Sequence, residues 1–118
     1  MKLPAERNDD LKAILELDDA VHNPVRLAIL IFLLSIGDTT FTTILKTLEL
    51  TGGNLASHLK KLERNHLIQI KKKFIDARPA TIVKLTDKGR RAVTEYASNL
   101  SVVLKNMLES QKSEKSSF

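Results

Sequence analysis

Three histidines and no cysteine are the nitrogen and sulfur ligands that this chain of 118 residues could offer a soft metal ion. His22, His58 and His66 are scattered over three segments, and no two stand four apart as a helical zinc pair requires. Without cysteine there is no thiolate nucleophile and no disulfide. Asp9-Asp10 and Asp18-Asp19 are neighbouring acids in an acidic N-terminal segment. They suit a solvated face or a helix-dipole partner better than two facing catalytic carboxylates. Gly52-Gly53 is not followed by the lysine of a phosphate-cradling loop. The residues therefore predict no catalytic centre, no metal and no cofactor, and the chain is not expected to be an enzyme.

The remaining chemistry is electrostatic. Net charge is +5, but it is unevenly spread. Residues 1–45 hold 4 Lys/Arg against 7 Asp/Glu, residues 46–91 hold 12 against 4, and residues 92–118 hold 3 against 3. A basic block of +8 thus lies between an acidic start and a neutral end, as when a single face meets a polyanion. A lysine-rich solvated surface would give the same charge count, so the elements beneath the block must decide. The longest apolar run, Leu27 to Leu34, is too short to span a bilayer, and the polar stretch from Met1 to Asp10 is no secretory signal. A cytoplasmic, single-domain protein is expected.

Leu11, Ile14, Leu15 and Val21 mark a first helix, capped by Asn8 or Asp9 and stopped at Asn23-Pro24. A second helix is predicted from Pro24 to Ile36, with Leu27, Leu30, Ile31 and Leu34 on one face and Leu33 and Ile36 beside it, as the central core helix. After a β-prone link over residues 39–41, a short helix from about Thr42 to Leu48 precedes the turn Thr51-Gly52-Gly53-Asn54. Leu55, Leu59 and Leu62 then form a narrow stripe on a helix reaching about Asn65, completing a helix-turn-helix over 42–65. The period changes to two in Leu67 to Phe74, where Ile68 and Ile70 oppose Gln69 and Lys71. With a loop at residues 76–79 and a second strand from Thr81 to Leu85, this predicts a hairpin over about 67–85. Thr86 caps a last helix to about Lys112, leaving 113–118 as a disordered polar tail. On that helix Val93, Ala97, Leu100, Leu104 and Met107 repeat at 4-3-4-3 spacing, with Tyr96, Val103 and Leu108 flanking them. At about 40 Å it is too long for one small globule to cover.

Helix, helix, helix-turn-helix, β-hairpin, long helix is the winged helix-turn-helix order, mainly α in class (α+β). VHNPVRLAIL, FTTILKTLELTGGNLASHLKKLERNHLIQIKKKF and ARPATIVKLTDKGRRAV resemble the winged-helix transcriptional regulators of the MarR and ArsR groups, over about Leu17 to Tyr96. The run from Leu48 to Leu67 and the opening Thr86-x-x-Gly89 are the most specific parts of the resemblance. It implies a wing that lies along the DNA backbone with Arg78 in the minor groove. ArsR-type metal sensing is not implied, because the last helix has no histidine.

The residues point to DNA independently. A helix that enters a major groove about 12 Å wide must bury one stripe and keep its other faces small and polar. Gly53, Asn54, Ser57, His58, Lys60, Lys61 and Arg64 occupy those other faces. Asn54, Ser57 and His58, near the helix start, are the candidates for base edges, with Asn54 suited to adenine. Lys61 and Arg64 suit phosphates. Two readings stay open for Asn54, base contact or capping its own helix, and two for His58, base contact or ordinary surface. On the hairpin, Lys71, Lys72, Lys73, Arg78 and Lys84 are candidates for the DNA backbone, although lysines also blunt an edge strand against aggregation. Thr42 and Thr43 could present helix amides to a phosphate.

These residues predict a homodimeric, sequence-specific regulator that binds double-stranded DNA. Its dimer seam comprises Val93, Tyr96, Ala97, Leu100, Val103, Leu104 and Met107, with Leu11, Ile14 and Leu15 alongside. The competing reading is a protein-interaction subunit of a transcription or repair assembly, and a third is effector gating, for which no convergent polar cluster is visible.

Overall fold

The computed structural model describes residues 5–116, with side chains described within 9–112. In chain order it contains α1 (Ala5–Leu15), α2 (Pro24–Ile36), β1 (Thr39–Thr40), α3 (Phe41–Leu48), α4 (Gly52–Arg64), β2 (Ile68–Ile75), β3 (Arg78–Leu85) and α5 (Asp87–Ser116). The antiparallel sheet has the order β1-β3-β2. It is thus a winged helix with a three-stranded sheet, because the β-prone link at Thr39–Thr40 pairs with Val83 and Ile82.

Polar side chains set where the helices begin. Asn23 Oδ1 accepts from the amides of Val25 and Arg26, and Pro24 follows with a backbone angle already suited to a helix. Thr40, Thr51 and Thr86 each accept from the amide three residues on, those of Thr43, Asn54 and Gly89. Such caps contribute about 1 kcal/mol each. They start α3 at Phe41 and α4 at Gly52, so Gly52-Gly53 are the first helical residues of α4 and not a preceding turn.

Other boundaries also differ from expectation. α1 starts at Ala5 and ends at Leu15 instead of running on to Val21. Asp18 is the reason: its carboxylate accepts from the Ala20 amide and its carbonyl from those of Val21 and His22, a turn that competes with helix. Ala20 and Val21 then enter the core from this turn. α2 is apolar nearly all round, and its buried residues are Ile29, Leu30 and Leu33, whereas Ile31 is exposed. Asp76 and Ala77 both have positive φ, 51° and 63°, which closes the hairpin with a two-residue turn. Arg78 and Pro79 therefore belong to β3, opposite Ile75 and Phe74, and not to a loop. β1 covers β3 only at Ile82 and Val83, so Pro79 stands where β3 is an outer strand and proline is tolerated.

α4 is joined to α5 by one compact knot. His66, at φ 61°, closes α4: its amide donates to Glu63 O and that of Leu67 donates to Leu62 O. The Thr86 hydroxyl donates to His66 O and its amide to Leu67 O. A Cβ on Gly89 would run into the Leu67 carbonyl and Leu85, so only glycine lets the first turn of α5 sit this close. Thr86-x-x-Gly89 is thus a cap and a seat together.

α5 extends to Ser116, past the expected end near Lys112, because Gln111, Lys112, Glu114 and Lys115 are all good helix formers. Residues 117 and 118 of the expected polar tail lie outside the described residues. The helix, about 45 Å long, stretches the molecule to 68 × 25 × 24 Å, with a radius of gyration of 18.5 Å.

Candidate nucleic-acid interface

On α4, Leu55, Leu59 and Leu62 are buried, at 0–2% exposure, and hold the helix to the core. Gly53, Ser57, Lys60 and Arg64, spaced four, three and four apart, lie exposed along the outside, with Asn54 beside them. Asn54 does not cap the helix. Thr51 does, and the Asn54 side chain is left exposed at the third position. A Cβ on Gly52 or Gly53 would meet nothing within 4 Å among the described residues, so no contact with them requires glycine there.

His58 and Lys61 are placed differently. One turn apart on the flank of α4, they face the turn between α1 and α2. Arg26 Nη1 donates to His58 Nδ1 at 3.2 Å, while Arg26 Nε and Nη2 donate to the carbonyls of Ala20 and Asp19 at 2.6 and 3.1 Å. A guanidinium cannot accept a hydrogen bond, so His58 Nδ1 is the acceptor and the ring proton sits on Nε2. Burial, and then the Arg26 charge, lower the His58 pKa from 6.5 and favour the neutral ring. Lys61 Nζ pairs with Asp19 Oδ2 at 3.2 Å. His58 is thus neither an ordinary surface histidine nor wholly open to a base, and Lys61 already has a carboxylate partner.

Arg26 is the residue that sequence reasoning missed. It clamps the Asp18–His22 turn and the side of α4 together. Its signal is the one charged side chain inside the largely apolar PVRLAILIFLLSI.

The register of the hairpin sorts its basic residues. Ile68, Ile70, Lys72 and Phe74 pair with Leu85, Val83, Thr81 and Pro79 on one face. That face bears the buried Ile68 and Val83 and therefore carries the helices. Lys71, Lys73, Lys84 and Arg78 share the other face with Gln69 and Ile75. From Lys71 to Pro79 every residue is exposed, so this half of the hairpin stands clear of the globule.

At α3 the cap is Thr40, whose hydroxyl also lies 2.9 Å from that of Thr43. Thr42 and Thr43 are both exposed, and neither opens the helix, which begins at Phe41. The expected dimer seam divides as well. Val93 and Tyr96 belong to the chain's own core, and Tyr96 OH pairs with His22 Nδ1 at 2.8 Å. Val103 is buried outside the main core, and α1 packs on α5. These three are not open to a partner, because a single chain already covers them. Leu100 is half-buried and Ala97 exposed, as are Leu104 and Met107 together with Val102 and Leu108. On α1, Leu11 and Leu15 are exposed and Ile14 is half-buried.

Comparison with known proteins agrees with this arrangement. Residues 25–104 match the family model described as a winged helix DNA-binding domain. An uncharacterized protein of Methanocaldococcus jannaschii is 40% identical over 86 residues, covering 73% of this chain and 94% of that protein. The structure of a transcriptional regulator homologue from Pyrococcus horikoshii OT3 superposes with a TM-score of 0.78 at 41% identity, over 84% of this chain and 97% of the other. A protein described as a transcriptional regulator of the MarR family, from Enterococcus faecalis V583, shares the fold at a TM-score of 0.62 and 18% identity, over 100% and 97% of the two chains. The matched stretch runs from the start of α2 through the helix-turn-helix and hairpin into α5, so the chain belongs to the winged helix DNA-binding domain family.

Proposed function

We propose that the protein is a sequence-specific transcriptional regulator that binds double-stranded DNA as a homodimer. The observation that carries this reading is the exposed polar stripe Gly53, Asn54, Ser57, Lys60 and Arg64, backed by buried leucines and flanked by a basic hairpin. α4 enters the major groove with Asn54 and Ser57 toward base edges. Lys60 and Arg64 lie toward phosphates. Lys61 and His58 brace the helix against the α1–α2 turn, and His58 Nε2–H is the ring donor left for a base or a phosphate. The side-chain-free first turn at Gly52 and Gly53 lets the backbone approach a phosphate closely, with Thr42 at α3 as a further phosphate contact. Lys71, Lys72, Lys73, Arg78 and Lys84 let the wing follow the DNA backbone, with Arg78 nearest the hairpin turn and the minor groove.

The dimer is built on the distal part of α5, where Leu104 and Met107 are 46% and 43% exposed, and takes in Leu100, Ala97, Leu11, Ile14 and Leu15 as well. Two copies related by a two-fold axis would read half-sites about 34 Å apart in a palindromic operator.

Selection from a random duplex library followed by footprinting tests the reading. A palindromic site is expected, with affinity falling about 10³–10⁵-fold between 50 and 200 mM salt if the dimer neutralises roughly 6–10 phosphates. Affinity that ignores salt, or a Lys71→Ala/Lys73→Ala/Arg78→Ala variant that binds as well as the parent, would overturn it.

A further inference from the structure

We infer that Phe74 is an apolar wedge, carried by the wing into the DNA minor groove and pressed between two adjacent base pairs. This rests on the DNA-binding reading above and adds a deformation of the duplex to it.

Phe74 is 78% exposed near the end of the hairpin, and Ile75 beside it is 46% exposed. Its mount is stiff. Strand pairing continues without a break to Ile75 and Arg78, Pro79 stands directly opposite Phe74, and a two-residue turn closes the end. The charge around it favours a polyanion over a second wing. Lys71, Lys72, Lys73, Arg78 and Lys84 face a single acid, Asp76, in the hairpin. Phe74 lies on the sheet face that carries the helices, beyond where they cover it, so it overhangs the side on which α4 packs.

The dimensions fit. The minor groove is about 6 Å wide and 7.5 Å deep, too narrow for a two-stranded ribbon but open to one ring. Lys72, two residues back on the same face, sits about 7 Å away along the strand. With the ring at the groove floor, that amine reaches a phosphate on the rim. Phenylalanine, leucine, isoleucine, methionine and proline are the apolar side chains that partly unstack base steps from the minor groove and kink the duplex toward the major groove. Pyrimidine–purine steps yield most easily, so the wedge selects them without a hydrogen bond to any base.

The test uses the full chain and the duplex recovered by selection. 2-Aminopurine replaces successive adenines under the wing, and fluorophores at the two ends report bending. The wild-type protein is expected to raise 2-aminopurine fluorescence at one step and to shorten the end-to-end distance. Phe74→Ala should lose both while still binding, with Kd raised about 5- to 100-fold, and Phe74→Leu should keep part of the bend. Melting temperature should change little in Phe74→Ala, because the ring is 78% exposed and lies outside the core. The inference is overturned if Phe74→Ala bends and unstacks like the parent, or if the parent binds without doing either. It is also overturned if Phe74→Ala changes only binding to phosphatidylserine vesicles, which would assign the wing tip to a lipid surface. A protein that binds no duplex at all would instead remove the DNA-binding reading itself.

Discussion

Along α4, Leu55, Leu59 and Leu62 are all buried. Along α5, Val93 and Tyr96 are buried, but Leu104 and Met107, continuing the seam of Val93, are nearly half exposed. Both helices announce themselves by the same 3–4 spacing. The difference lies in what stands opposite. α4 is short, lies across the core and is held from the side by Arg26, His58, Lys61 and Asp19. α5 has the core under its first turns and α1 beside it, and then outruns both. Periodicity identifies a face that needs cover; it does not say whether the cover comes from the same chain.

The largest effect expected from this contrast is in truncation of the two stripes. Leu59→Ala should cost about 3 kcal/mol of folding stability in urea, independent of protein concentration. Leu104→Ala should cost less than about 1 kcal/mol in dilute protein, with a loss that grows with concentration if a second copy covers it. Equal, concentration-independent losses would show that the distal seam is already packed within one chain.

The seat of α5 is the next place to break the contrast. Gly89→Ala forces a methyl group into the Leu67 carbonyl and should destabilise by about 2 kcal/mol in urea unfolding, while Ser98→Ala, on an exposed position further along the same helix, should change stability by no more than about 0.5 kcal/mol. A smaller change is expected from Tyr96→Phe, which removes the hydroxyl paired with His22 and should cost about 1 kcal/mol in thermal unfolding.

The smallest effect belongs to the side brace of α4. The folded chain lowers the His58 pKa below 6.5, so below that value the unfolded chain binds the proton more readily. Stability should therefore be fully present above pH 6.5 and decline as pH falls from there through the lowered folded value. His58→Gln should flatten that part of the pH–stability curve, and an unchanged curve would dissociate His58 from it.

Much of the fold was legible because the hydrophobic period changes along the chain, from helical to two-residue alternation and back. The stripe of α4 and the cap at Thr86 could be read from local spacing alone. The buried face of α2 could not, since a helix that is apolar nearly all round carries no phase. The partners of His58 and Lys61 were hidden for a different reason: Arg26 and Asp19 lie 32 and 42 residues away. The tight turn at Asp76-Ala77 lacks the glycine that usually advertises a hairpin. An alanine holds the left-handed position there, at a cost of about 1–2 kcal/mol.

Sequence alone determined the order of elements, the single charged block and the polar outer faces of α4, because each depends on residues within a few turns of one another. Tertiary structure decided which candidates are free to act. It turned His58 and Lys61 toward the α1–α2 turn, divided the wing's cations between two faces, enclosed Val93, Tyr96 and Val103, and left Phe74 bare. Exposure and pairing are properties of a neighbourhood, and here the neighbours come from distant parts of the chain.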